Sequence, residues 1–172
     1  MSAVSVRPRV SDDVPELAQV LIRVHARDRY PVEGVARAED WVAPDRELAA
    51  WTALHEGQPI GHVSVTQADP DSEVAILWQQ HTEGAIERLA IPVRLFVDPD
   101  HRNTGVGRML LAAVGQYASR RNLAIAFDVM LKDRDAIRLY EDLGCRRIGE
   151  VVHQHSGGET EPAAVYLAPN SQ

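Results

Sequence analysis

The chain has 172 residues, enough for one compact domain and short for two. Apolar residues make up 45% and charged residues 25%, close to globular averages, which excludes wholesale disorder. Lys plus Arg total 18 against 25 Asp plus Glu, a net charge of −7 that is the reverse of what a nonspecific nucleic-acid binder carries.

The short basic pairs Arg120-Arg121 and Arg146-Arg147 read as solvated faces, so no nucleic-acid partner is expected. Cys145 is the single cysteine; it excludes an internal disulfide and cannot build a cysteine-based zinc site alone, and no metal is expected. The first residues, Met1 to Arg7, have no long apolar core of the kind a signal peptide needs. No run approaches the roughly 18 apolar residues of a membrane span. These features predict a soluble, cytoplasmic protein with no membrane partner.

In chain order, Val4, Val6 and Arg7 to Val10 predict a short strand. Ser11-Asp12-Asp13 supplies capping side chains, with Asp13 and Glu16 at capping-box spacing. Leu17, Val20, Leu21 and Val24 then form one helical stripe. Tyr30 to Pro44 has no firm period and reads as a loop plus a short second helix. Residues 49–66 read as a hairpin turning at His55-Glu56-Gly57-Gln58. Val74 to Trp78 fits either a short element or part of a long loop. Leu89 to Val97 is apolar on both faces except at Arg94, the pattern of a buried central strand.

Val106, Leu110, Ala113, Val114 and Tyr117 mark an amphipathic helix. Leu123 to Leu131 follows as a buried strand. Asp133 to Leu143 is a further helix, with Ala136, Ile137, Tyr140 and Leu143 inward and Gly144 ending it. Arg147 to Val152 and Ala164 to Leu167 form a closing pair of strands joined by Ser156-Gly157-Gly158. The alternation of strands and helices predicts a mixed α/β sheet.

The chemistry concentrates between Val93 and Leu111. A buried strand ends at Val97, and Asp98-Pro99 stops its ladder because proline has no amide hydrogen. A loop containing Gly105 and Gly107 leads straight into the amphipathic helix, so a ligand can approach the backbone closely. The first amides of a helix lack internal partners, and the helix start carries about half a positive charge. Such a segment suits phosphate oxygens. Each hydrogen bond to a charged group is worth about 1.5–3 kcal/mol, so converging amides hold a diphosphate even on an acidic protein. Arg102 and Arg108 add local positive charge. The P-loop pattern is absent, and the Rossmann pattern fails because Leu110 stands where its third glycine belongs.

What the segment does match is Arg-x-x-Gly-x-Gly, here Arg102, Gly105 and Gly107. At this point the sequence resembles the GNAT superfamily of N-acetyltransferases. Leu95-Phe96-Val97-Asp98-Pro99 precedes the motif as that family's fourth strand does. Asp135 to Gly144 resembles its Ala-x-x-Leu-Tyr-x-x-x-Gly helix. The motif-bearing match covers roughly residues 89–150, and the strand, helix and hairpin order of residues 1–66 agrees with the same fold.

The resemblance implies a GNAT-like fold over residues 1–172 as a single domain: a mostly antiparallel central sheet, splayed at its fourth and fifth strands and flanked by helices. It implies acetyl-CoA as cosubstrate and a small-molecule or peptide amine as acceptor, with a homodimer one state open to the chain. The amides of Asn103, Thr104, Gly105, Val106, Gly107 and Arg108 would cradle the diphosphate, beside Arg102. The strand backbone at Leu95, Phe96 and Val97 would pair with the pantetheine amides; a plain core strand is the other reading of these residues. Tyr140 falls at the family's general-acid position, and a phenol of pKa near 10 holds its proton at neutral pH; the alternative is a buried helix tyrosine. The family often has Asn where this chain has Asp133, which weakens the carry-over of a cofactor contact there. Cys145 stands where Phe is usual and reads as a small core residue.

Acyl transfer needs a neutral amine, and one of pKa about 10.4 is only about 0.04% neutral at pH 7, so a base or water relay is expected. Glu87, Asp128 and His81 are the candidates. Asp128 is an unusual acid in a buried strand; a solvent-facing edge carboxylate is the other reading. Tyr30, Trp41 and Trp78 are candidate walls of the acceptor pocket, with core packing equally open for Trp41. His153-x-His155 reads as a solvated strand end rather than a metal site. The acidic surface mildly favours a cationic acceptor. A noncatalytic acyl-CoA-binding sensor or interaction module is the competing reading.

Overall fold

The structure, a computed structural model, describes residues 3–154 and 158–169. Its strands are β1 (Val4–Pro8), β2 (Ala49–His55), β3 (Gln58–Gln67), β4 (Leu89–Val97), β5 (Ala124–Met130), β6 (Arg146–Gln154) and β7 (Thr160–Leu167). Its helices are α1 (Val14–Asp28), α2 (Ala38–Val42), α3 (Glu73–Thr82), α4 (Val106–Arg120) and α5 (Arg134–Asp142). The strands form a seven-stranded mixed sheet in the order β1-β2-β3-β4-β5-β7-β6. Among the described residues no helix is long and apolar enough to cross a membrane. The chain divides into two compact units, Met1–Thr66 with Pro92–Gln116, and Gln67–Ile91 with Tyr117–Gln172.

In the first unit, β1 pairs antiparallel with β2, from Val4↔His55 to Pro8↔Trp51, and β2 with β3. Glu56 and Gly57 link β2 to β3 with φ of 52° and 79°. Positive φ at both central residues matches the right-handed twist of the strands, which is why this Glu-Gly pair closes the hairpin where expected. The α1 stripe is real: Leu17, Ala18, Val20, Leu21 and Val24 are buried. They pack with Ala38, Val42 and Phe96. Each large apolar side chain so buried contributes about 1.5–3 kcal/mol.

Asp13 does not cap α1. Its side chain makes no capping bond to the helix. Instead its carboxylate accepts from Arg7 Nη1 and Nη2 at 2.7 and 2.9 Å, from Thr52 Oγ1 at 2.8 Å and from the Val10 amide at 2.9 Å. Two of those partners sit on β1 and β2, so a nonlocal ion pair outcompetes the local cap.

In the second unit, Val74 to Trp78 belongs to a full helix, α3, whose start is capped by Ser72 Oγ accepting from the Ala75 amide at 3.2 Å. Val74, Ala75 and Trp78 bury against Leu89, Ala124, Ala126, Val165 and Leu167. β5 pairs in parallel with β4 at Leu89↔Ala124 and Ala90↔Ile125, and antiparallel with β7 from Ala126↔Leu167 to Met130↔Ala163. β6 pairs antiparallel with β7 on its other edge. α5 ends at Gly144, φ 84°, with the Cys145 amide donating to the Tyr140 carbonyl at 3.0 Å. This is the glycine-terminated helix end that the sequence predicts. Of the expected Ser156-Gly157-Gly158 connection, Ser156 and Gly157 lie outside the described residues.

Candidate active site

In the first unit the candidate diphosphate loop follows β4 directly. Asp98 is buried, and its amide donates to the Ile60 carbonyl at 2.7 Å. Its carboxylate pairs with Arg23 on α1 and accepts from the Asp100 amide at 3.0 Å. Burial pushes that carboxyl up, but the Arg23 bond, the Asp100 amide and the charges of Arg23 and His101 outweigh it and hold it below its ordinary value. Asp98 therefore pins the start of the loop. Asn103 and Gly105 then take positive φ, 59° and 87°. A Cβ built on Gly105 would meet no atom within 4 Å, so the loop is open on that side.

The Met109 amide donates to the Gly105 carbonyl at 3.1 Å, opening the hydrogen-bond ladder of α4. Val106 and Gly107 precede that bond, so their amides have no place in the ladder. Val106, Leu110, Val114 and Ala118 bury one face of the helix, while Asn103, Thr104, Gly105 and Arg108 are exposed. Arg102 pairs with Asp28 on α1, so its charge already has a protein partner.

β4 is less buried than its apolar sequence predicts. Leu89, Ala90 and Phe96 are buried, but Pro92, Val93, Arg94, Leu95 and Val97 are only half-buried. Phe96 is a core side chain, its ring 5.3 Å from His62 and 6.1 Å from Trp41. Within the strand Arg94 takes φ 55°, a left-handed conformation rare for a non-glycine residue.

A buried chain of polar groups anchors that residue. Arg9 pairs with Glu47 and places Nη1 3.0 Å from His62 Nε2. Arginine only donates, so Nε2 accepts, and His62 Nδ1 carries the hydrogen it donates to the Arg94 carbonyl at 2.9 Å. Burial first, then the charges of Arg9 and Arg94, lower His62 to about 4 despite the Arg94 carbonyl bond. The imidazole is neutral in the physiological range. On its other side, the Arg94 guanidinium lies over the Trp41 ring at 5.3 Å. Trp41 Nε1 donates to Glu33 Oε1 at 2.6 Å, and the Tyr30 ring meets Trp41 edge-on at 5.7 Å. None of this network was legible in the sequence, where Arg94 showed only as an interruption.

In the second unit Tyr140 lies on α5 with its ring 4.4 Å from Phe127. Burial, reinforced by Cys145, Asp133 and Asp128, pushes its phenol up to about 12. Side chains alternate along a strand, so Asp128 points to the opposite face of β5 from Phe127. On that face Asp128 pairs with His153 of β6. The same face carries Ala126 and Val165, which pack under α3. The reading of Asp128 as a solvent-facing edge carboxylate is thus corrected: it is half-buried in a carboxylate–imidazole pair. His153 is correspondingly not a bare solvated strand end, and His155 lies outside the described residues.

Glu87 is exposed in the turn Ile86–Arg88, and His81 is exposed in the last turn of α3. Asp133 is exposed ahead of α5 and makes no side-chain cap bond. Trp78 is 2% exposed and sits in the core, so it does not line a pocket; the apolar contacts of α3 claim it. Cys145 is half-buried and its thiol is pushed up by burial, which keeps it protonated. Among the described residues no group of three or more metal-ligating side chains gathers.

The profile of the Acetyltransferase (GNAT) family matches residues 16–145. The chain belongs to the GNAT acetyltransferase family. Solved structures of the same fold include Arabidopsis thaliana NAA60 in complex with acetyl-CoA, 21% identical, covering 96% of this chain and 98% of that one with a TM-score of 0.73. The ribosomal-protein-S18-alanine N-acetyltransferase of Escherichia coli is 18% identical, covers 99% and 96%, and has a TM-score of 0.70. An N-acetyltransferase of Staphylococcus aureus Mu50 is 12% identical, covers 98% and 99%, and has a TM-score of 0.74. No curated protein matches the chain. As a GNAT acetyltransferase, the chain has its Arg-x-x-Gly-x-Gly segment within the matched residues, along with Asp128 and Tyr140.

Proposed function

We propose that this GNAT chain acts as one domain that transfers the acetyl group of acetyl-CoA to a primary amine, by direct attack of the amine on the thioester in a ternary complex. The observation that carries the reading is the loop from Asn103 to Arg108. Its glycine side is open, and the leading amides of α4 stand before the first ladder bond. Those amides would donate charge-assisted hydrogen bonds to the diphosphate oxygens. The strand backbone of Leu95 to Val97 would carry the uncharged pantetheine arm.

In the reaction the amine nitrogen forms a bond to the acetyl carbon and the carbon–sulfur bond breaks. Asp128 is the base that takes the amine proton, with His153 holding its carboxylate in place. Tyr140 protonates the departing sulfur. A phenol pushed up to about 12 is fully protonated at neutral pH, as a proton donor must be.

The test is release of free CoA thiol from acetyl-CoA across a panel of amines, with acetyl-CoA affinity measured separately by calorimetry. Binding with amine-dependent thiol release supports the reading. Binding without any turnover favours a noncatalytic acyl-CoA sensor, and no binding removes the reading altogether.

A further inference from the structure

We propose that Arg94 is an anion subsite for the acceptor, so that the amine this enzyme acetylates carries a carboxylate on the same molecule. The inference rests on the acetyl-transfer reading above and adds the acceptor's class to it.

The argument starts from what Arg94 lacks. Arg7, Arg9, Arg23 and Arg102 are each matched by a carboxylate of the protein. Arg94 is half-buried, yet its Nε is fully buried without a hydrogen-bond partner, and no carboxylate pairs with it among the described residues. A buried donor left unpaired is unfavourable unless a ligand completes it. One face of the guanidinium is covered by Trp41. A guanidinium is a planar fork of donors, the geometry that grips a carboxylate with two parallel hydrogen bonds.

The position decides whose anion it is. Arg94 lies three residues before the end of β4, roughly 10 Å along an extended strand from Val97 and further from the glycine loop. The charged part of coenzyme A is assigned to that loop, and its pantetheine arm beside β4 is uncharged. An anion at Arg94 therefore comes from the other substrate. His62 fixes the Arg94 carbonyl and with it the left-handed backbone that sets the side chain's direction. On a protein of net charge −7, an acidic acceptor also needs such a local cation to be retained. This overrides the mild preference for a purely cationic acceptor that the surface charge alone suggests.

Two sources present the same chemistry: a free amino acid, and a peptide whose first residue is Asp or Glu. Paired acceptors separate them. One arm compares amino acids with their amides, the other compares Asp- or Glu-initiated peptides with Asn- or Gln-initiated ones. Each is read as kcat/KM for CoA release in the native protein, R94M and R94K. The expected result in one arm is a preference for the carboxylate form that falls about 10- to 100-fold in R94M and partly returns in R94K, mainly through KM.

Equal kcat/KM for carboxylate and amide forms in both arms overturns the subsite. So does a preference that survives in R94M, or an R94M protein that loses acetyl-CoA affinity in calorimetry, which would assign Arg94 to the cosubstrate. Transfer confined to amines without a carboxylate overturns the subsite and leaves the acetyl-transfer reading standing. Failure of the native protein to bind acetyl-CoA overturns both.

Discussion

His153 on β6 reaches across β7 to pair its Nε2 with Oδ2 of Asp128 on β5. The contact fixes a carboxylate on the α3 face of the sheet, while Tyr140 packs against Phe127 on the other face. Glu87 has no comparable support: it is exposed in a short turn. Asp128→Asn is expected to lower kcat by about 10²- to 10⁴-fold, and Glu87→Gln by far less. Steady-state CoA release at saturating amine checks the ranking; a larger loss in Glu87→Gln would reverse it.

Tyr140→Phe keeps the ring against Phe127 and removes only the hydroxyl. We expect kcat to fall by about 10²- to 10⁴-fold with acetyl-CoA affinity unchanged. The pH dependence follows from burial, which raises the phenol to about 12 against its ordinary 10. The folded state holds this proton more tightly than the unfolded chain, so stability falls as pH rises from about 10 to 12. Denaturation monitored across that range should show a weaker decline in Tyr140→Phe. An unchanged kcat in that variant removes Tyr140 from the chemistry.

Acid lability has two sources in the first unit. Burial pushes the Asp13 carboxyl up, but the bonds from Arg7, the Val10 amide and Thr52 and the charge of Arg7 bring it down to about 2. Its contribution is present above the unfolded value near 3.9 and is lost as pH falls towards 2. Burial and two arginine charges lower His62 to about 4, so its contribution is present above about 6.5 and is lost as pH falls towards 4. Asp13→Ala leaves the buried Thr52 hydroxyl without its carboxylate and should cost about 1–3 kcal/mol at neutral pH. Urea unfolding at pH 7 and pH 3 tests this: the gap between variant and native protein should shrink at the lower pH.

Gly105 separates backbone from ligand effects. At φ 87° a side chain is strained, although open space surrounds the position. Gly105→Ala should cost stability by about 1 kcal/mol and leave acetyl-CoA affinity measurable. Gly105→Glu adds a carboxylate where the diphosphate is assigned and should abolish binding. Calorimetry on both variants decides it; intact affinity in Gly105→Glu would remove the loop from the site.

The sequence carried local structure well. The α1 stripe, the Glu56-Gly57 turn and the Gly144 stop all depend on residues a few positions apart, and each appears as expected. It carried α3 poorly, because Val74, Ala75, Ile76, Leu77 and Trp78 are apolar on consecutive positions and show no period. It misread Asp13, whose partners Arg7 and Thr52 come from two strands, and Trp78, whose contacts lie on β4, β5 and β7. The glycine loop was legible because its chemistry is encoded in a contiguous run. The Asp128–His153 and Arg94–Trp41 contacts were not, since strand register and the α1–α2 connection decide them.

The tie between Arg102 and Asp28 has a bearing on how coenzyme A is gripped. On the proposed reading of the loop, the engagement of that guanidinium leaves the diphosphate to neutral peptide groups and to Arg108 as the loop's exposed cation. Few counterions are then displaced when the cosubstrate docks, and affinity should decline only gently as ionic strength is raised.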